Sequence, residues 1–374
     1  MQQAQQKLQY PQAERQRKLQ ALTFQENQIL SRDLPRDTVL KEIQLRLSGS
    51  VITTFGSGTP VADAQAAFDN IIPRIDVIVG GSRTVKSVRP HLLRAQQLFS
   101  TTVLGERRAS AAAAAATDNL PTVDAGFTYG TTGQISTCAE SILLSFAMVY
   151  AEVGMGREST WLNLKGVSSA ELRLTCAAFS SLLGFANTAP VVFTGSTFII
   201  DIICIEAQDV PAEIVFSDWK QTTKELTFSA QTTDYAIDIN RGNKLSGLML
   251  FTKDGAAGST TTASGKLASN LVLTKLALTV NGQSQVKVTD FKALQAENRM
   301  RYGVNAPMAS NVSFLDGIAH MNMLARQDIS TALDCAPPLV DNVQLFVNTN
   351  TAANVSYTNP VSVTVMTEEI VIPR

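Results

Sequence analysis

The chain carries one pattern of apolar and polar positions twice. Residues 71–96 read IIPRIDVIVGGSRTVKSVRPHLLRAQ and residues 272–297 read VLTKLALTVNGQSQVKVTDFKALQAE, and the two overlay without a gap. Ile75, Val77 and Val79 fall on Leu276, Leu278 and Val280, while Arg74 and Asp76 fall on Lys275 and Ala277. Each copy predicts a strand with one apolar and one more polar face. Gly80-Gly81 and Asn281-Gly282 then predict a tight hairpin, because both central positions of such a turn need positive φ. Val85-Lys86 and Val286-Lys287 open the return strand, and helix-like runs follow through Leu93-Arg94-Ala95 and Leu294-Gln295-Ala296.

Other blocks repeat in the same order. LPRDTVLKEIQLRL, from Leu34, matches INRGNKLSGLMLFT, from Ile239, with Arg36 on Arg241, Leu40 on Leu245, Ile43 on Leu248 and Leu45 on Leu250. Upstream of each stands Leu22-Thr23-Phe24 or Leu226-Thr227-Phe228, and the C-terminal VSVTVMTEEIVIP resembles FIIDIICIEAQDVP. The chain therefore reads as a tandem duplication of one β-rich unit.

The alternation predicts strands over 22–30, 40–54 (divided at Gly49), 71–79, 83–88, 140–151, 171–179 and 197–207, a set that suits a β-sandwich or jelly roll. In the second unit it predicts strands over 225–239, 244–253, 270–280, 285–289, 342–348 and 360–372, with helices over 89–99 and 291–300. Apolar residues on both faces of FIIDIICI predict a strand covered on two sides. The domain reading is an N-terminal arm over 1–20, a first unit over 21–211, a linker over 212–224 and a second unit over 225–374. A long excursion in the first unit holds the alanine tract 111–116, whose low complexity leaves helix and loop equally open. The arm is rich in glutamine and carries Lys7, Arg15, Arg17 and Lys18 against Glu14 alone. Two readings stand for it: a partly disordered terminus, or a segment that orders against a neighbouring subunit or an acidic surface such as lipid headgroups.

Composition narrows the function. Of 374 residues, 45% are hydrophobic and only 17% charged, below the usual quarter or so, as expected of a surface that will be covered. A net charge of -1 leaves no basic footprint for phosphates, so sequence-specific nucleic-acid binding is not expected. Four cysteines, at 138, 176, 204 and 335, show no CxxC spacing; buried free thiols folded in a reducing cytoplasm are the expectation. No signal peptide or membrane-spanning run is legible.

Catalytic chemistry finds little support. His91 and His320 lie outside any HExxH and have no cysteine cluster, so structural or surface roles are expected and no metal or cofactor site is read. Ser217-Asp218-Trp219-Lys220 satisfies S-x-x-K without the accompanying SDN and KTG motifs. GSGTPV at Gly56 lacks the third glycine of a dinucleotide loop and the lysine of a phosphate loop, and Asn311 and Asn354 open glycosylation-type triplets. Asp201 interrupts FIIDIICI, and Glu368-Glu369 sit in the matching strand. Carboxylates at a strand end or paired across a subunit interface are the expectation for these, and no catalytic residue is assigned.

Two tandem β-sandwiches, a basic Gln-rich arm, few charges and no catalytic constellation resemble the major capsid proteins of the double jelly-roll lineage. That lineage includes the tailless membrane-containing icosahedral phages of tectivirus, corticovirus and finnlakevirus type, and adenovirus hexons. The resemblance covers essentially the whole chain and rests on architecture. It implies an all-β fold of two tandem jelly rolls with short flanking helices, a homotrimer of pseudo-sixfold outline, and a place in the virion capsid after folding in the host cytoplasm. Neighbouring capsomers, penton or minor capsid proteins and internal membrane lipids, the last met by the arm, are the implied partners. The alternatives are a two-domain carbohydrate-binding or adhesin module, disfavoured by the low aromatic content of 6%, and a glycosidase-like enzyme, for which no acidic pair stands out.

Overall fold

The computed structural model describes residues 13–55, 67–100, 123–125, 133, 135–152, 156–183, 191–255, 268–282, 284–303 and 315–371. The first half holds β1 (Glu14–Thr23), β2 (Ile29–Asp33), β3 (Val39–Phe55), helix α1 (Ala67–Ile71), β4 (Arg74–Val79), β5 (Arg83–Val88), helix α2 (Pro90–Phe99), β6 (Val123–Ala125), β7 (Ile135–Ser145), β8 (Leu162–Asn163), β9 (Ala170–Thr175) and β10 (Val191–Ala207). The second half holds β11 (Asp218–Phe228), β12 (Tyr235–Asp238), β13 (Lys244–Lys253), β14 (Leu273–Val280), β15 (Ser284–Asp290), helix α3 (Phe291–Tyr302), β16 (Ile318–Asn322), β17 (Leu333–Asp334), β18 (Val343–Thr349) and β19 (Val361–Val371).

Each half builds two layers whose four main strands run in the same order, with the short β6, β8 and β17 added beside them. In the first half these are β1-β10-β3-β7 and β2-β9-β4-β5; in the second they are β11-β19-β13-β16 and β12-β18-β14-β15. Every major strand thus has a counterpart with matching neighbours, and each half is a jelly roll. The rolls join edge to edge. β5 pairs in parallel with β11, Gln221 opposite Lys86 and Thr222 opposite Ser87, which makes one layer of each roll a continuous sheet.

The repeated sequence blocks are the reason the halves match. Gly80, Gly81, Asn281 and Gly282 all adopt positive φ, so both hairpins turn tightly where the sequence predicts. The return strands carry a bulge at corresponding places, after Val77 in β4 and after Leu278 in β14. Leu40, Ile43 and Leu45 point into the first core, and Leu245, Leu248 and Leu250 into the second. Arg36 donates to the Ser168 carbonyl and Arg241 to the Asp341 carbonyl, each two residues before the corresponding strand, β9 or β18. That shared bond gives the aligned arginines their physical meaning.

Several expectations change. Gly49 does not divide a strand: β3 runs unbroken for 17 residues. Its glycine answers a close approach instead, since a Cβ there would sit 1.9 Å from the Thr197 carbonyl oxygen. The predicted strand over 22–30 is the end of β1, a turn, and the start of β2. β1 begins at Glu14, inside the segment read as an arm, and β11 begins at Asp218, inside the segment read as a linker. β10 is covered on one face only: Phe198, Ile200, Ile202 and Cys204 are buried, whereas Ile199 is 49% exposed and Ile203 and Ile205 are half-buried. Its counterpart β19 is the strand covered on both faces, because the first roll lies over its outer side. Lys7, the alanine tract, the GSGTPV segment and the Asn311 triplet lie outside the described residues.

Candidate functional site

The most elaborate chemistry of the described residues is a buried polar network where the rolls meet. Its hub is Glu368 on β19, fully buried. One carboxylate oxygen accepts from Gln96 Nε2 on α2 at 2.7 Å, Gln221 Nε2 on β11 at 3.1 Å and the Tyr150 hydroxyl at 3.3 Å. The other oxygen lies 3.0 Å from His320 Nε2 on β16, and His320 Nδ1 lies 2.7 Å from the Tyr302 hydroxyl. Asn322 Nδ2 donates to that hydroxyl at 3.0 Å. One tautomer satisfies the whole chain: Tyr302 donates to Nδ1, and the imidazole donates through Nε2 to Glu368. Asn298 pins the His320 backbone on both sides, accepting from its N–H and donating to its carbonyl, each at 2.6 Å.

The cation of the site is Lys86 on β5, fully buried. Its Nζ donates to Gln221 Oε1 at 2.6 Å and stands 4.0 Å above the Trp219 ring. Gln221 therefore links Lys86 to Glu368 through the two ends of one amide. Burial pushes the Lys86 ammonium well below its ordinary pKa, opposed by the Glu368 and Asp218 charges. Burial and the Glu368 charge push the Tyr150 hydroxyl well above its own, and burial does the same to Tyr302. Tyr150 stacks on His320 with ring centroids 4.1 Å apart, and Phe99 stacks on Tyr302 at 4.9 Å. At the rim, Arg83 of β5 pairs with Asp218 and Arg89, just before α2, pairs with Glu225, both on β11.

Chemically this arrangement holds rather than reacts. The side chains bonded to Glu368, His320 and Lys86 are all held by one another, and they come from α2, α3, β5, β11, β16, β19 and the segment after β7. The Trp219 Nε1 beneath Lys86 has no hydrogen-bond partner among the described residues. Among the described residues no group of three His, Cys, Asp or Glu is placed to hold a metal ion. Gly247 shows how tightly the site closes, since a Cβ there would lie 2.6 Å from His320 Nε2 and 2.8 Å from Glu368 Oε2. Gly247→Ala is expected to cost about 1–3 kcal/mol by forcing these groups apart, read from the shift in denaturant midpoint.

No family model matches the chain, and no curated protein sequence matches it. Solved structures do. The STIV MCP, of Sulfolobus turreted icosahedral virus, superposes with a TM-score of 0.63 at 15% identity, covering 96% of this chain and 97% of that one. PBCV-1 VP54, fitted into a reconstruction of the virophage Sputnik, gives 0.61 at 11% identity, covering 97% and 94%. The major capsid protein P2 from bacteriophage PM2 gives 0.51 at 9% identity, covering 97% and 98%. The fold is a double jelly roll. At such identities the likeness lies in strand order, in line with the all-β architecture expected from the duplication.

Within the double jelly roll the residues singled out from sequence take structural places. His320 is a buried network member; His91 is buried against Phe251, with Nδ1 3.7 Å from Asp69. Of the carboxylates, Asp201 pairs with Lys18 at 2.9 Å, and Glu369 lies 4.0 Å from Lys220 and accepts from Asn240 and Asn243. Glu368 departs from the strand-end or subunit-interface expectation, being the hub inside one chain. The Ser217 to Lys220 motif is the entry of β11, its lysine committed to Glu369. Arg15 and Arg17 both grip the buried Glu206, and Arg17 also reaches Asp37 at 3.2 Å. All four cysteines are free and buried. Sequence reading missed Lys86, Gln96, Tyr150 and Gln221; the available signal was a histidine and an adjacent carboxylate pair inside two otherwise apolar strands, which implies partners from elsewhere.

Proposed function

We propose that this chain is a structural virion protein whose three copies form a pseudo-hexagonal capsomer that tiles an icosahedral shell. The observation that carries this is the duplication of the whole chain into two matching rolls, on the same strand order as proteins named as capsid components. Three copies of two like units present six like flanks, which is what a hexagonal lattice needs. The polar network supports the same reading, because it holds the two rolls in fixed register without offering a reactive group. The low charged fraction of 17% suits large lateral contacts, and the free buried thiols suit folding in a reducing host cytoplasm.

The units are proposed as 21–211 and 225–374, with β1 lending its strand to the first. For the basic segment holding Lys7, Arg15, Arg17 and Lys18, contact with a neighbouring subunit is favoured over lipid, since Arg15, Arg17 and Lys18 already pair with Glu206, Asp37 and Asp201 of their own sheet. Penton or minor capsid proteins are the further partners of such a shell. The adhesin reading loses ground, because the two tryptophans, Trp161 and Trp219, are both buried. The test is the solution mass by native mass spectrometry. A stable species at three times 40.2 kDa is expected; a chain that stays monomeric at high concentration overturns the capsomer.

A further inference from the structure

The strand pairings give each position of one roll a counterpart in the other. Gln221 on β11 stands opposite Glu368 on β19, and Gln16 on β1 stands opposite Ile205 on β10. Lys86 stands opposite Val77 and Lys287 opposite Leu278, each just before the shared bulge. Gln16 is thus the counterpart of Gln221, Lys287 of Lys86 and Ile205 of Glu368.

The inner members of these pairs meet in the junction between the rolls. Among the described residues their outer counterparts meet no second roll. Among the described residues β15 pairs with β14 alone and β1 with β10 alone, so one edge of each carries no partner strand there. Val85 to Val88 of β5 are buried, whereas Val286 and Val288 of β15 are 39% and 48% exposed. The outer faces differ in the same sense. Met366 and Glu368 are buried beneath the first roll, while their counterparts Ile203 and Ile205 stay half-buried beside the exposed Ile199. Unpaired strand edges are templates for pairing.

The charges argue for the same partner. In the inner junction Lys86 is offset by Glu368, with Gln96 donating to that carboxylate. In the outer set Ile205 replaces Glu368, and Glu297, at the position of Gln96, reaches Lys287 at 2.7 Å. The carboxylate has moved from the last strand to the helix, so Lys287 keeps one anion, and Lys18, opposite Ile203 on the same face, has its own in Asp201. The outer edges can therefore close on each other without stranding a buried charge, which is the costly outcome at any such contact.

We propose that β15 of one copy pairs in parallel with β1 of the next, Lys287 opposite Gln16, and that α3 of that copy seats over Ile203 and Ile205. The contact between copies then repeats the contact within a copy. It is head-to-tail, and such contacts close into rings when the rotation permits; three copies give three internal and three intermolecular junctions. This rests on the capsomer reading and specifies how it is joined.

The test is a Gln16→Cys, Lys287→Cys double variant of the full chain, oxidised mildly beside the two single variants. Paired strands bring opposed Cα atoms within disulfide reach, and the native thiols are buried. Disulfide-linked dimers and trimers in the double variant alone are expected. Hydrogen exchange on the unaltered protein is the second reading, with β15 amides protected at least tenfold beyond those of a free edge. A trimer by mass that yields no linked species and exchanges freely along β15 overturns the edge pairing and leaves the capsomer standing. A monomer by mass overturns both.

Discussion

Glu368→Ala is expected to destabilise the protein by about 3–5 kcal/mol, the range for breaking a buried charged pair from one side. The substitution leaves Gln96, Gln221, Tyr150 and His320 with donors aimed at an empty site, and Lys86 in the interior with its counter-charge gone. Each stranded group adds its own desolvation penalty. Glu368→Gln keeps the volume yet turns an amide toward donors, so it is expected to fall between wild type and alanine. Equilibrium denaturation read by tryptophan fluorescence suits the measurement, because Trp219 lies beneath Lys86 at the junction. A separation of the single transition into two would follow from loosened rolls. A loss below about 1 kcal/mol would mean that the donors find other partners and that the hub reading is wrong.

The duplication was legible because its signals are local. A Gly-Gly or Asn-Gly turn, a period of two along a strand and an arginine reaching a nearby carbonyl each need only a few consecutive residues. β5 and β13 have the bounds that alternation predicts for them. β1 escaped because ERQRKLQ on an edge strand has one face on solvent and its charges on Glu206 and Asp201, so its sequence looks like a tail. The junction escaped for another reason. Lys86, Gln96, Tyr150, Gln221, His320 and Glu368 are scattered along the chain, and each is an ordinary polar residue until the parallel pairing of β5 with β11 brings them together. What the sequence did show was the Glu368-Glu369 pair inside a largely apolar strand, the half of a buried pair that composition can reveal.

Arg94→Gln is the second large effect expected, again about 3–5 kcal/mol, and the second roll explains why. In the first roll Arg94 on α2 lies between the buried side chains of Asp69, at 2.8 Å, and Glu140, at 3.1 Å, and donates to the Ser141 carbonyl at 3.0 Å. The second roll solves the same position without charge: Gln295 donates to Asn270 Oδ1 at 2.6 Å and to the Ile318 carbonyl at 2.9 Å, and Gly317 N–H donates to that same Asn270 oxygen. Arg94→Gln alone imports half of the neutral solution and leaves two buried carboxylates without a cation. Adding Asp69→Asn and Glu140→Gln completes it, and the triple variant is expected to return to within about 1–2 kcal/mol of wild type, since a satisfied neutral network costs little against an ion pair. A single variant as stable as wild type would show that Arg94 does not hold these carboxylates, and a triple variant no better than the single would show that the two rolls do not solve this position in equivalent ways.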